Sequence, residues 1–271
     1  MFAGFKLELT KSEFMDLNGG EFIKYKKLGE ELLKAKKKEI ENNIKSFFKE
    51  GKINGTKLQD EWFPQIKADI FISHSHVDEE LVLSLVGWIY EKFELICFVD
   101  SGVWGYADDL LRDINNNYSD KRSKPNGGVL YDYDKCNRAA SHVYMMLNIA
   151  LQRMIDKVEA VILLNTENSL DGDTTHSSWI YSEIVGTEII RKKTLSQYRK
   201  EMLQEVFEKF ANKQDFPTFN YDVSTEHLKD IYVDDLKDWY KQWRKKGSDN
   251  NYYGYTNYYP LDSLYRIKRL I

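Results

Sequence analysis

Cysteine is almost missing from this sequence of 271 residues; only Cys97 and Cys136 occur. Two thiols build no disulfide framework, and such scarcity fits a reducing compartment. No apolar run approaches the ~18 residues that a membrane-spanning helix needs. The opening stretch MFAGFKLELTKSEF has no long apolar segment behind a basic start, so no signal peptide is expected. Basic charge is not in excess either. The 39 Lys and Arg are outweighed by 43 Asp and Glu, for a net charge of −4, which is not the footprint of a nucleic-acid binder. A cytoplasmic protein with no nucleic-acid and no membrane partner is the expectation. Three phosphate and nucleophile signatures are absent as well. There is no G-x-G-x-x-G after the first strand of the pattern described below, no G-x-x-x-x-G-K-[ST], and no G-x-S-x-G. A dinucleotide held in the Rossmann manner, a P-loop and an α/β-hydrolase elbow are therefore not expected. No internal repeat and no long low-complexity tract is visible.

What is present is a chain long enough for one large domain, or for one domain with substantial additions. Residues 1–66 read as a helical, lysine-rich extension. Within GEELLKAKKKEIENNIKSFFKEG, the apolar positions Leu32, Leu33, Ile40, Ile44, Phe47 and Phe48 recur at helical spacing. That helix either packs on a neighbouring domain or serves as a docking arm. At Ala68 the pattern changes to strands alternating with helices. ADIFIS (68–73), LICFVD (95–100) and VEAVILLN (158–165) read as buried strands. Helices are expected over 79–94, 107–116, 138–157 and 178–193, with a loop over 119–135. Such alternation predicts an α/β fold with a parallel sheet flanked by helices. Beyond 195 the pattern weakens into helices over 195–213 and 224–246, a last strand over 217–223, and a Tyr-rich loop, NYYGYTNYY (251–259). Residues 196–271 are thus expected to form a helical and aromatic extension packed on the central domain.

In parallel sheets, sites lie beyond the carboxyl ends of the strands. Three loops therefore carry the search: SHSHVDE, DSGVWGY and NTENSLDGDTTHSSW. The first contains His74, His76 and Asp78 in an H-x-H-x-D spacing, which begins a zinc-site signature of metallo-β-lactamase type. The further ligands of such a site do not follow it, so polar loop residues are the competing reading. The third loop runs into SSWIYSEI, where Trp179 and Glu183 stand four residues apart and share a helix face. Alone, the pair is ordinary: a Trp at a helix start is usually core, and a Glu in a first turn compensates the dipole. Asp69 and Asp100 at strand ends and Cys97 within a strand read as structural, and Glu188 as a solvent-facing charge.

Three separated stretches carry a resemblance. DIFISHSHVDEELV (69–82) resembles the first-strand box of Toll/interleukin-1 receptor (TIR) domains. LICFVDSGVWGY (95–106) resembles the family's second strand and the loop after it. VEAVILLNTENSLDGDTTHSSWIYSEI (158–184) resembles its fourth strand and its S-x-W-x-x-x-E helix, with Ser177, Trp179 and Glu183 matching position by position. The match covers 68–195 and is similar to bacterial TIR proteins, including those of anti-phage Thoeris systems. Two features depart from compact TIR domains: a longer stretch between Asp100 and Val158, and the extra residues DGDTT before Ser177.

The resemblance implies a flavodoxin-like TIR domain over 67–195 that cleaves NAD⁺ as its substrate, with no cofactor and no metal. It implies hydrolysis, cyclisation or ADP-ribosyl transfer after the nicotinamide–ribose bond breaks, yielding a nucleotide signal for a downstream effector in antiviral defence. Glu183 falls on the family's catalytic Glu. Ser73, His74, His76, Asp100, Trp104 and Trp179 are the candidate substrate contacts, with Trp104 stacking on a substrate ring and Trp179 walling the ribose. A homo-oligomer formed through TIR–TIR contacts is also implied. The alternatives are a non-catalytic TIR adaptor and a zinc hydrolase built on His74, His76 and Asp78.

Overall fold

The structure is a computed structural model and describes residues 1–38, 55–63, 65–99, 101–123, 129–190, 192–195, 221–222, 225–247 and 259–271. Its centre is a parallel sheet of five strands: β1 (Ala3–Glu8), β2 (Ile70–Ser73), β3 (Cys97–Val99), β4 (Ala160–Asn165) and β5 (Lys229–Ile231). They lie in the order β3-β2-β4-β1-β5, and every adjacent pair is parallel. Nine helices are described: α1 (Lys11–Leu17), α2 (Phe22–Lys38), α3 (Gly55–Trp62), α4 (Glu79–Phe93), α5 (Ser101–Tyr118), α6 (Tyr133–Lys157), α7 (Ser178–Ile189), α8 (Val233–Gly247) and α9 (Pro260–Ile267). The architecture is α/β, with helices on both faces of the sheet, and is consistent with a flavodoxin-like fold.

The strands read as unbroken apolar runs because both of their faces are covered. Ile70 and Ile72 of β2, Cys97 and Val99 of β3, and Ala160, Ile162 and Leu164 of β4 enter one core with α2, α4, α8 and α9. The residues between them, Phe71, Phe98 and Val161, enter the other core with α3, α5 and α6. Asp69 fixes the start of β3. Its carboxylate accepts the backbone N–H of Ile96 at 2.7 Å, which is the structural role expected of it. Asp69→Ala should cost about 1.5–3 kcal/mol, the worth of a hydrogen bond to a charged acceptor. Urea unfolding would read this, and an unchanged midpoint would remove the role.

The expectation of a purely helical extension over 1–66 needs correction. Residues 3–8 form a strand in the interior of the sheet, between β4 and β5. Phe5 and Leu7 are fully buried, while Lys6 points to the other face and pairs with Asp230 at 3.1 Å. That alternation is the strand signal; it spans too few residues to stand out before a lysine-rich helix. Helix α2 packs on α4 with Phe22 and Tyr25 in the same core as Val82 and Val86, so its described part is a layer of the fold. Residues 39–54, with Ile40, Ile44, Phe47 and Phe48, lie outside the described residues.

The C-terminal part is likewise woven in. Residues 229–231, within the segment expected to be helical, form the edge strand β5. Helix α8 starts only at Val233, where the Asp235 carboxylate accepts the Tyr232 N–H at 2.9 Å. Leu236, Trp239, Leu264 and Tyr265 join the first core, and Trp239 stacks on Phe93 of α4 with ring centroids 4.0 Å apart. From the stretch expected as a last strand, Tyr221 and Asp222 pair with Thr174 and Thr175, outside the main sheet. The expected helix over 195–213 and the loop 251–258 fall outside the described residues, apart from Leu195. Among the described residues, no helix is long and apolar enough to cross a membrane.

Candidate functional site

The chain leaves β2 for β3 on one side, then returns to place β4 on the other side of β2. This reversal makes the carboxyl ends of β2 and β4 a topological switch point, where open α/β sheets form their ligand crevices. Ser73 is the last residue of β2 and stands beside Leu163 of β4. Helix α7 begins after the loop that follows β4 and carries Glu183 back to the same point. The Ser73 Oγ donates a hydrogen bond of 2.7 Å to Glu183 Oε2. Both residues are only 1% exposed. The bond joins residues 110 positions apart, and it brings the first and last of the three motif stretches together.

Each neighbouring group has a definable place. His74 follows Ser73 and is buried. His76 opens a single 3-10 turn, His76–Asp78, from which α4 starts. The two imidazoles meet edge to face with centroids 6.5 Å apart. The Asp78 carboxylate accepts from the Thr166 hydroxyl and from Asn168 Nδ2 at 2.9 Å. It therefore ties the loop after β2 to the loop after β4. Among the described residues, no group of three or more His, Cys, Asp or Glu is placed to hold a metal ion. The geometry thus lends the H-x-H-x-D spacing no support as a zinc site.

Ser177 caps α7, its hydroxyl accepting the Ile180 N–H. The extra residues before it also have a local role. Asp171 and Thr174 exchange two backbone hydrogen bonds around a tight turn, with Gly172 at a φ of 57°. Thr175 then donates to the Ser169 carbonyl at 2.9 Å. A cleft of about 740 Å³ lies between the two loops, lined by Ser75 on one side and by 167–172, His176 and Ser177 on the other.

Trp179 packs toward the core beneath α5 and α6 and meets the Tyr144 ring edge to face, with centroids 6.2 Å apart. Burial pushes the Tyr144 hydroxyl up, and the charge of Asp108 adds to that shift. Asp108 itself is pushed up to about 6 by burial, against the pull of Arg112. Tyr144 thus stands between the Trp179 ring that it meets and the charge of Asp108 on α5. Trp104 does not lie in a loop, since its backbone belongs to the first turns of α5. Its side chain lies outside the described residues, as does Asp100. Glu188 is exposed and Cys97 is core, as their positions suggest.

Sequence reading missed Asp78 as a loop tie, together with its partners Thr166 and Asn168, and it missed Tyr144. The tie is foreshadowed only by three short polar side chains in two loops. Tyr144 carries no signal within a helical stripe. The chain matches no family model, no curated protein and no solved structure.

Proposed function

We propose that the chain is a TIR-type enzyme that breaks the nicotinamide–ribose bond of NAD⁺, with Glu183 as its catalytic carboxylate. One observation carries the reading: the buried contact of Glu183 with Ser73 at the switch point of the sheet, on the two motif stretches that resemble TIR domains most closely. In NAD⁺ the C1′–N1 bond breaks with its electron pair moving to the pyridinium nitrogen, so nicotinamide leaves neutral and needs no general acid. The carboxylate's task is to stabilise positive charge growing at C1′. At about 4 Å and an effective dielectric of about 20, that attraction is about 4 kcal/mol. It corresponds to roughly a thousandfold in rate. Water then adds its oxygen to C1′ and releases a proton, giving ADP-ribose. A nitrogen of the substrate's own adenine in place of water gives a cyclic product, and a second molecule gives a conjugate.

Ser73 donates its hydroxyl proton to Glu183, which supports a further role for it in holding the carboxylate. Ser73→Ala should lower kcat about tenfold with KM changed less, the pattern of an interaction made only in the transition state. An intact kcat in a folded variant would return Ser73 to substrate contact or to packing.

A second reading, a non-catalytic adaptor, draws on the same burial, with the carboxylate serving only to dock α7 on β2. Incubation of the purified chain with NAD⁺, products resolved by mass, separates the two. Nicotinamide release supports the enzyme, and the accompanying product identifies hydrolase, cyclase or transferase. No release at high protein concentration, with or without the wild-type carboxylate, supports the adaptor.

A further inference from the structure

Helix α7 is held by more than its own loop. The pairing of Tyr221–Asp222 with Thr174–Thr175 lies just before its first turn. Leu228 packs with Ile180 and Ile184 on its inner face. Immediately after Leu228 the chain enters β5 and pairs with β1. Between these anchors stands His227, whose Nε2 lies 2.7 Å from the Thr187 hydroxyl oxygen. That hydroxyl donates at 2.7 Å to the carbonyl of Ile184. Ile184 follows Glu183, and Thr187 is four residues beyond Glu183 on the same helix face. The His227–Thr187–Ile184 relay therefore grips the turn of α7 that carries the carboxylate.

We propose that His227 is a positioning residue for Glu183, acting through Thr187, and that residues 225–231 form a strap the site requires. The inference rests on the reading of Glu183 as the catalytic group. The proton on His227 is assigned from the network. Thr187 has one proton and gives it to Ile184, so His227 must donate from Nε2–H. Its Nδ1 is buried with no hydrogen-bond partner among the described residues. A second proton there would create a buried charge with an unpaired N–H, which is costly. The facing charges oppose one another: Glu188 on α7 favours the imidazolium and Lys192 just beyond α7 disfavours it, while burial favours the neutral ring and is the largest effect. The Ile184 carbonyl also faces the ring and favours its charged form. The ring stays neutral below the ordinary histidine pKa of about 6.5. Since the folded chain binds this proton less readily than the unfolded one, the strap's contribution to stability is complete above about 6.5 and is lost as pH falls through the lower folded value.

Glutamine separates positioning from mere packing, because its side-chain amide reaches a similar distance and donates without titrating. His227→Gln, His227→Ala and Thr187→Val should be compared for kcat and KM of NAD⁺ cleavage across acid and neutral pH. The imidazole nitrogens and the Glu183 carboxyl carbon would be followed by NMR in the full chain. At neutral pH, His227→Ala and Thr187→Val should lose about tenfold in kcat, the scale of one mispositioned charge-assisted contact. His227→Gln should stay within about threefold of wild type and should lack the part of the wild-type acid limb that falls where His227 takes up its proton. The Glu183 carboxyl signal should move in the alanine variant and not in the glutamine variant.

Wild-type kcat in His227→Ala, or an acid limb unchanged from wild type in His227→Gln, overturns the proposal. So does an Nδ1–H tautomer. If the wild type cleaves no NAD⁺, the carboxyl signal decides alone. Movement in alanine but not in glutamine keeps the strap while the enzymatic reading falls; no movement ends both.

Discussion

If the proposed activity holds, Glu183→Gln should leave a folded protein that releases nicotinamide from NAD⁺ at least about a hundredfold more slowly, the scale of losing one preorganised electrostatic contact. The substitution is close to isosteric. The amide oxygen still accepts from Ser73 Oγ, so the buried 2.7 Å contact keeps its acceptor. Only the negative charge is removed. Because both side chains are sequestered from water, little solvent screens that charge, and its loss falls on the transition state. The melting temperature should stay near wild type while kcat falls. Activity within a few fold of wild type would sink the catalytic role. Loss of folding would instead mark the carboxylate as a docking charge for α7.

Gly87→Ala should unfold much more readily than wild type. In an exposed helix the change would stabilise by up to about 1 kcal/mol. Here α2 and α4 touch through their backbones. A Cβ on Gly87 would overlap the Tyr25 carbonyl and lie 3.1 Å from the Gly29 nitrogen. A Cβ on Gly29 would overlap the Leu83 carbonyl in return. Backbone cannot rotate aside as a side chain does, so the helices must part, and the packing of Phe22, Tyr25, Val82 and Val86 loosens with them. Destabilisation of about 3 kcal/mol or more is expected, at the upper end for overpacking. Urea unfolding checks it, and a midpoint equal to or above wild type would mean that the helices do not meet in this way.

Several parts of the fold were legible because their cause is local. The runs 70–73, 97–99 and 160–165 are apolar on both faces, which only a covered parallel strand explains. The stripe Val143, Leu147, Ala150, Leu151 and Met154 is fully one-sided and gave α6 its core face. The helix expected from 178 is α7, which opens at Ser178 with Ser177 as its cap. The convergence of the loops after β2 and β4 followed from strand direction alone, since parallel strands put their carboxyl ends on one edge.

Other features could not be read along the chain. Whether 3–8 was a strand depended on the gap between β4 and β5, which exists only after the sheet has formed. The same holds for 229–231, three residues whose pairing with β1 overrides a helical pattern. The sequence by itself determined the alternation of strand and helix, the edge at which polar loops gather, and the candidates Ser73 and Glu183. The tertiary structure alone decided that these two touch, that Asp78 joins the loops after β2 and β4, and that His227 meets Thr187 of α7. The reason is that period and composition report which face of an element is buried, whereas a hydrogen bond between residues 110 positions apart depends on sheet order, and sheet order is set by long-range packing that no local pattern encodes.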